Sequence, residues 1–366
     1  MKGPIFHFVL KQPTEVVRQA GEFVRGLIVS GALEPGEKLP PTSTLAASWG
    51  APVASVHAAL AELVQRGLLL RQPGKGTFVS SAKPLVSDVA IYELADQLSN
   101  PESSIHRVLL CELERQLAEE GVASHLVVDP RRGKDLAEPC QRLVRLVREK
   151  RVGAIIAAST VPAMLPWLRK LSPVAAFGEP KPKAGGVAID FGHMNDICLG
   201  ALSKQGCRSV GLMCGYMDRQ SDFYANFESA AKRLGLRVEE RWMMPRAKRS
   251  ILPGRFHAYG YESFRSFWRQ AERPDGLMIF PDSFVPGVLL AMTELGLRPP
   301  RDIRLAYHRN EGTPILNPFP STEAILRERE IAAALIAQAL RLRAGEPAPP
   351  VLIGFHREDR TRQRKD

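Results

Sequence analysis

Apolar side chains within residues 14–30 recur at Val16, Val17, Ala20, Phe23, Val24, Leu27 and Ile28. That is the i, i+3, i+4, i+7 stripe of an amphipathic helix. Pro13 suits its start and Gly31 its end. Pro35-Gly36 then marks a tight turn. Residues 42–49 read as a short helix with Thr42 at its N-cap. After a turn at Gly50, Ala51 and Pro52, residues 53–66 place Val56, Ala59, Leu60 and Leu63 on one face of a third helix, which Gly67 stops. Two short strands follow at 68–72 and 76–80, joined by Pro73-Gly74-Lys75. Three helices and a hairpin describe a winged helix-turn-helix over residues 1–80.

Residues 81–88 are small, polar and broken by Pro84, which predicts a linker. Beyond it the rhythm changes. Strand-like runs at 125–129, 153–159, 173–178, 186–190, 209–215, 276–280 and 303–308 alternate with helical patterns at 104–120, 134–150, 162–171, 193–205, 222–234, 284–295 and 323–343. Short, continuously apolar strands between helices indicate buried parallel sheets. The predicted fold class is therefore a two-lobed α/β domain over 89–356, preceded by the small α+β winged helix and followed by a basic tail at 357–366. Ligands in such sheets bind beyond the carboxyl ends of the strands. That draws attention to Ala158-Ser159-Thr160, Phe177-Gly178-Glu179, Asp190, Tyr216 to Ser221, Pro281-Asp282-Ser283 and His308-Arg309-Asn310.

Composition narrows the function classes. The chain has 366 residues, 45% of them hydrophobic and 24% charged, an ordinary globular balance for two or three domains. There is no apolar run long enough to span a bilayer, and the N-terminal run Ile5 to Leu10 is too short for a signal peptide, so a cytoplasmic protein without membrane contact is expected. Five scattered cysteines form neither CxxC pairs nor a Cys/His cluster, which predicts no metal and no disulfides but small buried hydrophobes. The net charge of +11 favours a polyanionic partner, yet residues 1–80 hold only eight Lys/Arg against five acids. The basic run Arg241 to Arg255 and the tail read best as solvated surface.

The head carries the most specific chemistry. A third helix of this size enters the major groove with its early residues toward the base edges. Lys75 at the hairpin tip reaches toward a backbone phosphate, and Gly74 and Gly76 let the main chain approach. The segments GALEPGEKLPPTSTLAASWG, VHAALAELVQRGLL and PGKGTFVS resemble the GntR-type winged helix over residues 14–80. The resemblance implies double-stranded DNA as partner, with Thr42, Ser43, Thr44, Val53, Ala54, Ser55, His57, Lys75, Gly76 and Thr77 at the interface. It also exposes departures: Ser43, Val53 and His57 stand where that family usually has arginine. Trp49 and Phe78 are expected in the small core rather than on DNA.

A second resemblance starts near residue 90 and sharpens after Asp190. VAIDFGHMNDICLGALSKQGCRSVGLMCG, FESAAKRLGLRVEE and RPDGLMIFPDSFVPGVLLAMTELGLRPPRDIRLAYH resemble the effector domain of lactose-repressor-type regulators. It implies two Rossmann-like lobes, a small-molecule, sugar-like effector in the cleft and a homodimer. Effector contacts would come from Asp190, Tyr216, Arg219, Phe223, Asp282 and His308. Asp282 has an equally good reading as a helix N-cap. The family's pocket arginine falls at Phe223 and its late aspartate within His308-Arg309-Asn310, so a common monosaccharide pocket is not carried over. GxSxG, GxxxxGK[ST], HExxH and GxGxxG motifs are absent, and neither an enzyme nor a bound cofactor is expected. The sequence thus predicts an effector-responsive DNA-binding repressor. The competing reading is a small-molecule receptor whose head has become an interaction module.

Overall fold

The computed structural model describes residues 6, 8, 15–65, 67–80, 88–179, 181–214, 222–244 and 254–360. They fall into two compact units, Met1–Asp88 with Leu146–Gly153, and Val89–Arg145 with Ala154–Asp366. The expected linker at 81–88 lies, but for Asp88, outside the described residues.

The first unit contains α1 (Val16–Val29), α2 (Thr42–Trp49), α3 (Val53–Gln65) and an antiparallel hairpin of β1 (Leu69–Gln72) and β2 (Gly76–Val79). Val16, Ala20, Val24 and Ile28, spaced by four, are the buried stripe of α1. Ala20, Val24 and Ile28 meet Leu45 and Trp49 of α2, and Val56, Leu60 and Leu63 of α3, in one core. Gly50 adopts a left-handed conformation (φ 60°) that ends α2 and turns the chain into α3. Thr42 is not the cap of α2. Pro41 holds that position, its carbonyl accepting from Thr44 and Leu45, and Thr42 is the first helical residue. Residues 36–39 lie along β2 through Gly36 N–H to Val79 O, Val79 N–H to Glu37 O and Leu39 N–H to Thr77 O. Trp49 is buried as expected, and its indole N–H donates to the Phe6 carbonyl.

The second unit holds two sheets. One is fully parallel, built from β3 (Val89–Leu94), β4 (Ser124–Asp129), β5 (Ala154–Ala157), β6 (Val174–Phe177), β7 (Gly186–Ile189) and β12 (Val351–Ile353), in the order β12-β7-β6-β5-β3-β4. The other contains β8 (Val210–Met213), β9 (Gly276–Ile279), β10 (Arg304–Asn310), β11 (Ser321–Leu326) and β13 (His356–Arg360), in the order β13-β11-β10-β9-β8. Only β13 runs antiparallel. AIIA, VAAF, VGLM and GLMI are buried throughout, because helices cover both faces of such sheets. Those helices are α4 (Ala95–Leu98), α5 (Ile105–Glu119), α6 (Gln141–Arg148), α7 (Leu165–Leu171), α8 (Phe191–Lys204), α9 (Asp222–Arg233), α10 (Phe256–Trp268), α11 (Val285–Glu294) and α12 (Glu328–Ala344).

The chain passes between the sheets three times: from β7 through α8, from β11 through α12, and from β12 to β13. The structure departs from the sequence expectation at several elements. The helix expected at 134–150 is a short 3-10 turn, Gly133–Ala137, and then α6. Pro139 lacks the N–H a continuous helix needs and restricts its predecessor. The helix expected from 323 begins at Glu328, because STEAIL is a buried strand paired with β10. The basic tail expected from 357 begins as β13. Periodicity predicts no element at β3, α10 or β12, which the structure adds. Of the cysteines, Cys111 is exposed, against expectation, and the other four are buried. Burial pushes the Cys198 thiol up to about 12 and Cys207 to about 11. No helix among the described residues is long and apolar enough to cross a membrane.

Candidate functional site

In the first unit, the start of α3 is a bare surface. Val53 (52% exposed), Ala54, His57 and Ala58 face solvent, Ser55 is half-buried, and Val56 turns into the core. Ser43 and Thr44 of α2 are exposed and Thr42 half-buried. Lys75 sits at the exposed tip of the hairpin, where its N–H donates to Gln72 O. Gly74 (φ 72°) and Gly76 (φ 122°) make that turn. A side chain at Gly76 would meet Lys38 Cε at 2.8 Å, so glycine lets the wing lie against Lys38. The Lys38 ammonium lies 5.9 Å from the Phe78 ring, which is half-buried, and Thr77 beside it is half-buried too. One functional candidate escaped the sequence reading. Arg71 of β1 places Nη1 3.0 Å from His57 Nε2 of α3. α3 itself carries no Lys or Arg from Val53 to Gln65, so a cation reaches its outer face from the hairpin. Strand alternation could not have found it, since it would set Arg71 on the face of buried Leu69, whereas Leu70 and Arg71 are both exposed.

In the second unit, the carboxyl ends of the strands bring some predicted residues together and use others elsewhere. Asp282, His308 and Asn310 form one buried cluster. The Asp282 backbone N–H donates to His308 Nδ1 (3.3 Å). Its carboxylate Oδ2 accepts from the Asn310 backbone N–H (3.1 Å) and side-chain Nδ2 (3.0 Å). Asp282 is thus a brace between the ends of β9 and β10; the alternative N-cap role falls away, since Pro281 holds the cap position of its 3-10 turn. Accepting at Nδ1 puts the His308 proton on Nε2. Burial holds the imidazole below its ordinary pKa, so it is neutral at pH 7. His308 Nε2 and Asn310 Oδ1 are both buried without a hydrogen-bond partner.

Rings wall this cluster. Phe280 is 5.1 Å from His308 and 5.1 Å from Phe223, and Phe355 is 5.8 Å from His308. Phe191 packs edge-on to both Phe223 (5.3 Å) and Phe280 (5.4 Å). Phe223 is buried, so the position of the expected pocket arginine holds an apolar wall. Asp190 is the cap of α8, accepting from His193 N–H at 2.9 Å, beside the first crossover. His193 Nδ1 in turn accepts from Phe355 N–H (3.2 Å) at the third crossover. The approach is close: a Cβ on Gly354 would stand 2.7 Å from that nitrogen. Tyr216 and Arg219 lie outside the described residues.

Other carboxyl-end residues are occupied within the protein. Ser159 Oγ accepts from Leu94 N–H, Thr160 donates to Phe177 O, and Glu179 pairs with Arg169. Arg309 points to the opposite face of β10, where it pairs with buried Glu323 (2.6 Å) beside Tyr307 and Arg360. Sequence reasoning also missed Glu102, whose carboxylate reaches from the loop before α5 to the first N–H groups of α10.

Residues 17–79 match the bacterial regulatory proteins of the gntR family. Residues 199–354 match the periplasmic binding protein-like domain. Curated relatives include the HTH-type transcriptional repressor PurR of Escherichia coli O1:K1 and of Klebsiella pneumoniae, each 28% identical over 175 residues, 45% of this chain and 49% of the relative. The chain spans about half the length of the curated relatives it matches. A LacI family transcription regulator from Clostridium acetobutylicum superposes with a TM-score of 0.59 at 20% identity, over 75% of this chain and 99% of that one. The regulator CelR in complex with cellobiose gives 0.58 at 15%, over 96% and 99%. The Escherichia coli repressor ascG gives 0.56 at 16%, over 75% and 98%. At these identities the structural likeness shows the two-lobed fold.

Proposed function

Because the chain joins a gntR-family helix-turn-helix domain to a periplasmic-binding-protein-like domain, we propose that it is a DNA-binding transcription regulator, a repressor whose operator affinity is set by a small-molecule effector. The observation that carries this reading is the bare N-terminal face of α3 flanked by Arg71 and the Lys75 wing, in one chain with a two-lobed domain. Such a face inserts into the major groove while the wing holds phosphates. The two heads of a homodimer would read two half-sites, and effector binding would re-space them. The second domain then serves binding rather than turnover, and the protein works in the cytoplasm.

Fluorescence anisotropy of the full chain on its own upstream DNA and on a scrambled duplex, at two salt concentrations, tests the reading. A preference for the upstream DNA supports it. Equal binding to both duplexes contradicts sequence-specific control. The absence of any cation from α3 itself favours one second reading, a receptor whose head no longer reads sequence. Effector binding without DNA binding would establish that reading instead.

A further inference from the structure

The outer face at the start of α3 is apolar where a helix offered to bases usually carries hydrogen-bonding groups. Val53 and His57, one turn apart, face solvent, with Ala54 and Ala58 in the next row. Val53 opens the helix and keeps 52% of its surface exposed. From Val53 to Ala58 there is no carboxylate, amide, Lys or Arg, and the one hydroxyl, on Ser55, is half-buried. The polar group at this face comes from outside the helix. Arg71 of β1 sets Nη1 3.0 Å from His57 Nε2. A guanidinium only donates, so Nε2 accepts and the ring proton sits on Nδ1. The contact anchors the guanidinium beside the second turn of α3 and occupies one of its N–H groups; the others remain to serve two acceptors side by side.

Base edges in the major groove differ in what they ask of such a face. Guanine shows two acceptors, O6 and N7; adenine and cytosine each show an amino donor; thymine shows a methyl group. A donor-only guanidinium matches guanine and meets the amino groups of adenine and cytosine donor to donor. An exposed valine has no hydrogen-bonding atom and matches the thymine methyl. One helical turn advances about 6 Å, close to two steps of a duplex that rises about 3.4 Å per base pair.

We infer that the half-site pairs a thymine, whose methyl packs on Val53, with a guanine within about two base pairs of it, whose O6 and N7 are read by Arg71 reaching over from β1. This rests on the head being a DNA-reading domain. A guanidinium lent by the wing thus stands in for the helix-borne arginines usual in heads of the gntR type. His57 is a positioning residue that holds the guanidinium at the groove.

The test starts with selection of duplexes from a random library by the full chain, followed by anisotropy titration of the selected site and of two modified forms. Deoxyuridine in place of the thymine removes only the methyl group, and 7-deazaguanine in place of the guanine removes only N7. The first change is expected to weaken binding about fourfold, the worth of one buried methyl group, and the second about tenfold. Val53→Ala binds the thymine and uracil duplexes alike, and Arg71→Ala binds the two guanine duplexes alike. His57→Ala shrinks the guanine ratio, and His57→Gln, whose amide oxygen can accept from Arg71, restores part of it. Val53, His57 and Arg71 are exposed, so the core of the head is untouched, and melting curves of the variants report that they fold. A selected site indifferent to the thymine methyl, a thymine–uracil difference that persists in Val53→Ala, or a guanine ratio that survives Arg71→Ala each overturns the inference while sequence-specific binding stands. Failure to enrich any sequence overturns the regulator reading itself, and the inference with it.

Discussion

The Glu102 carboxylate accepts the backbone N–H of Phe256 at 2.6 Å, and the next N–H, of His257, at 3.1 Å. Glu102 belongs to the loop between α4 and α5, on the parallel-sheet side. Phe256 opens α10, which packs on the core of the second sheet. One side chain therefore caps a helix across the two halves of the second unit, where the helix dipole favours a negative charge. The Ser104 and Thr313 hydroxyls, 2.6 Å apart, make a second tie from the same loop. Glu102→Ala should destabilise this contact between the two halves by about 2 kcal/mol. Small-angle scattering should show a larger radius of gyration in the variant, and an unchanged radius with unchanged stability would remove Glu102 as a latch.

Lys75 is exposed at the tip of the hairpin. Lys75→Ala should weaken binding to every duplex alike and lower the slope of log K against log salt by about one. A sequence-dependent loss would mean that Lys75 reads bases instead.

Arg71 and His57 act as a pair if their 3.0 Å contact matters on DNA. Each alanine variant should lose affinity, and the double variant should lose less than the sum of the two. His57→Ala should also change base preference. An unaltered sequence profile together with strict additivity would return both residues to plain surface.

Glu328, the first residue of α12, is buried, and burial raises its pKa above the ordinary value of 4.5. A carboxyl raised in this way favours the folded state below pH 4.5. That contribution is lost as pH climbs through the raised value, because the folded state must then hold a buried charge. Glu328→Gln keeps an acceptor for the Gly312 N–H, which now donates at 3.2 Å. It should therefore stabilise the protein at pH 8 and be close to neutral at pH 4. Melting curves at both values decide, and an equal effect at the two would show that ionisation is not involved.

Gly287 lets α10 and α11 touch, since a Cβ there would come within 1.8 Å of the His257 carbonyl. Backbone cannot yield as a side-chain tip can. Gly287→Ala should cost about 3 kcal/mol, at the upper end for overpacking. Chemical denaturation measures it, and a loss near zero would show that the helices separate freely.

Local pattern alone settled a good part of this protein. The stripe Val16, Ala20, Val24 and Ile28, the glycine stops and the hairpin at Gly74-Lys75-Gly76 belong to short stretches of chain, where periodicity and backbone freedom decide the conformation. The short, wholly apolar strands announced parallel sheets for the same reason. Elements whose character depends on distant partners were not legible. STEAIL became a strand because β10 and β13 pair with it on either side, and HREDR because β11 offered an edge. The cleft chemistry lay further still from the sequence. Asp282, His308 and Asn310 were visible as candidates, but only the approach of β9 to β10 turned the aspartate into a brace and left a donor and an acceptor unpaired. Glu102 on α10 and Arg71 beside His57 join residues 154 and 14 positions apart. Contacts of that kind are fixed by packing, through hydrogen bonds that no window of sequence contains.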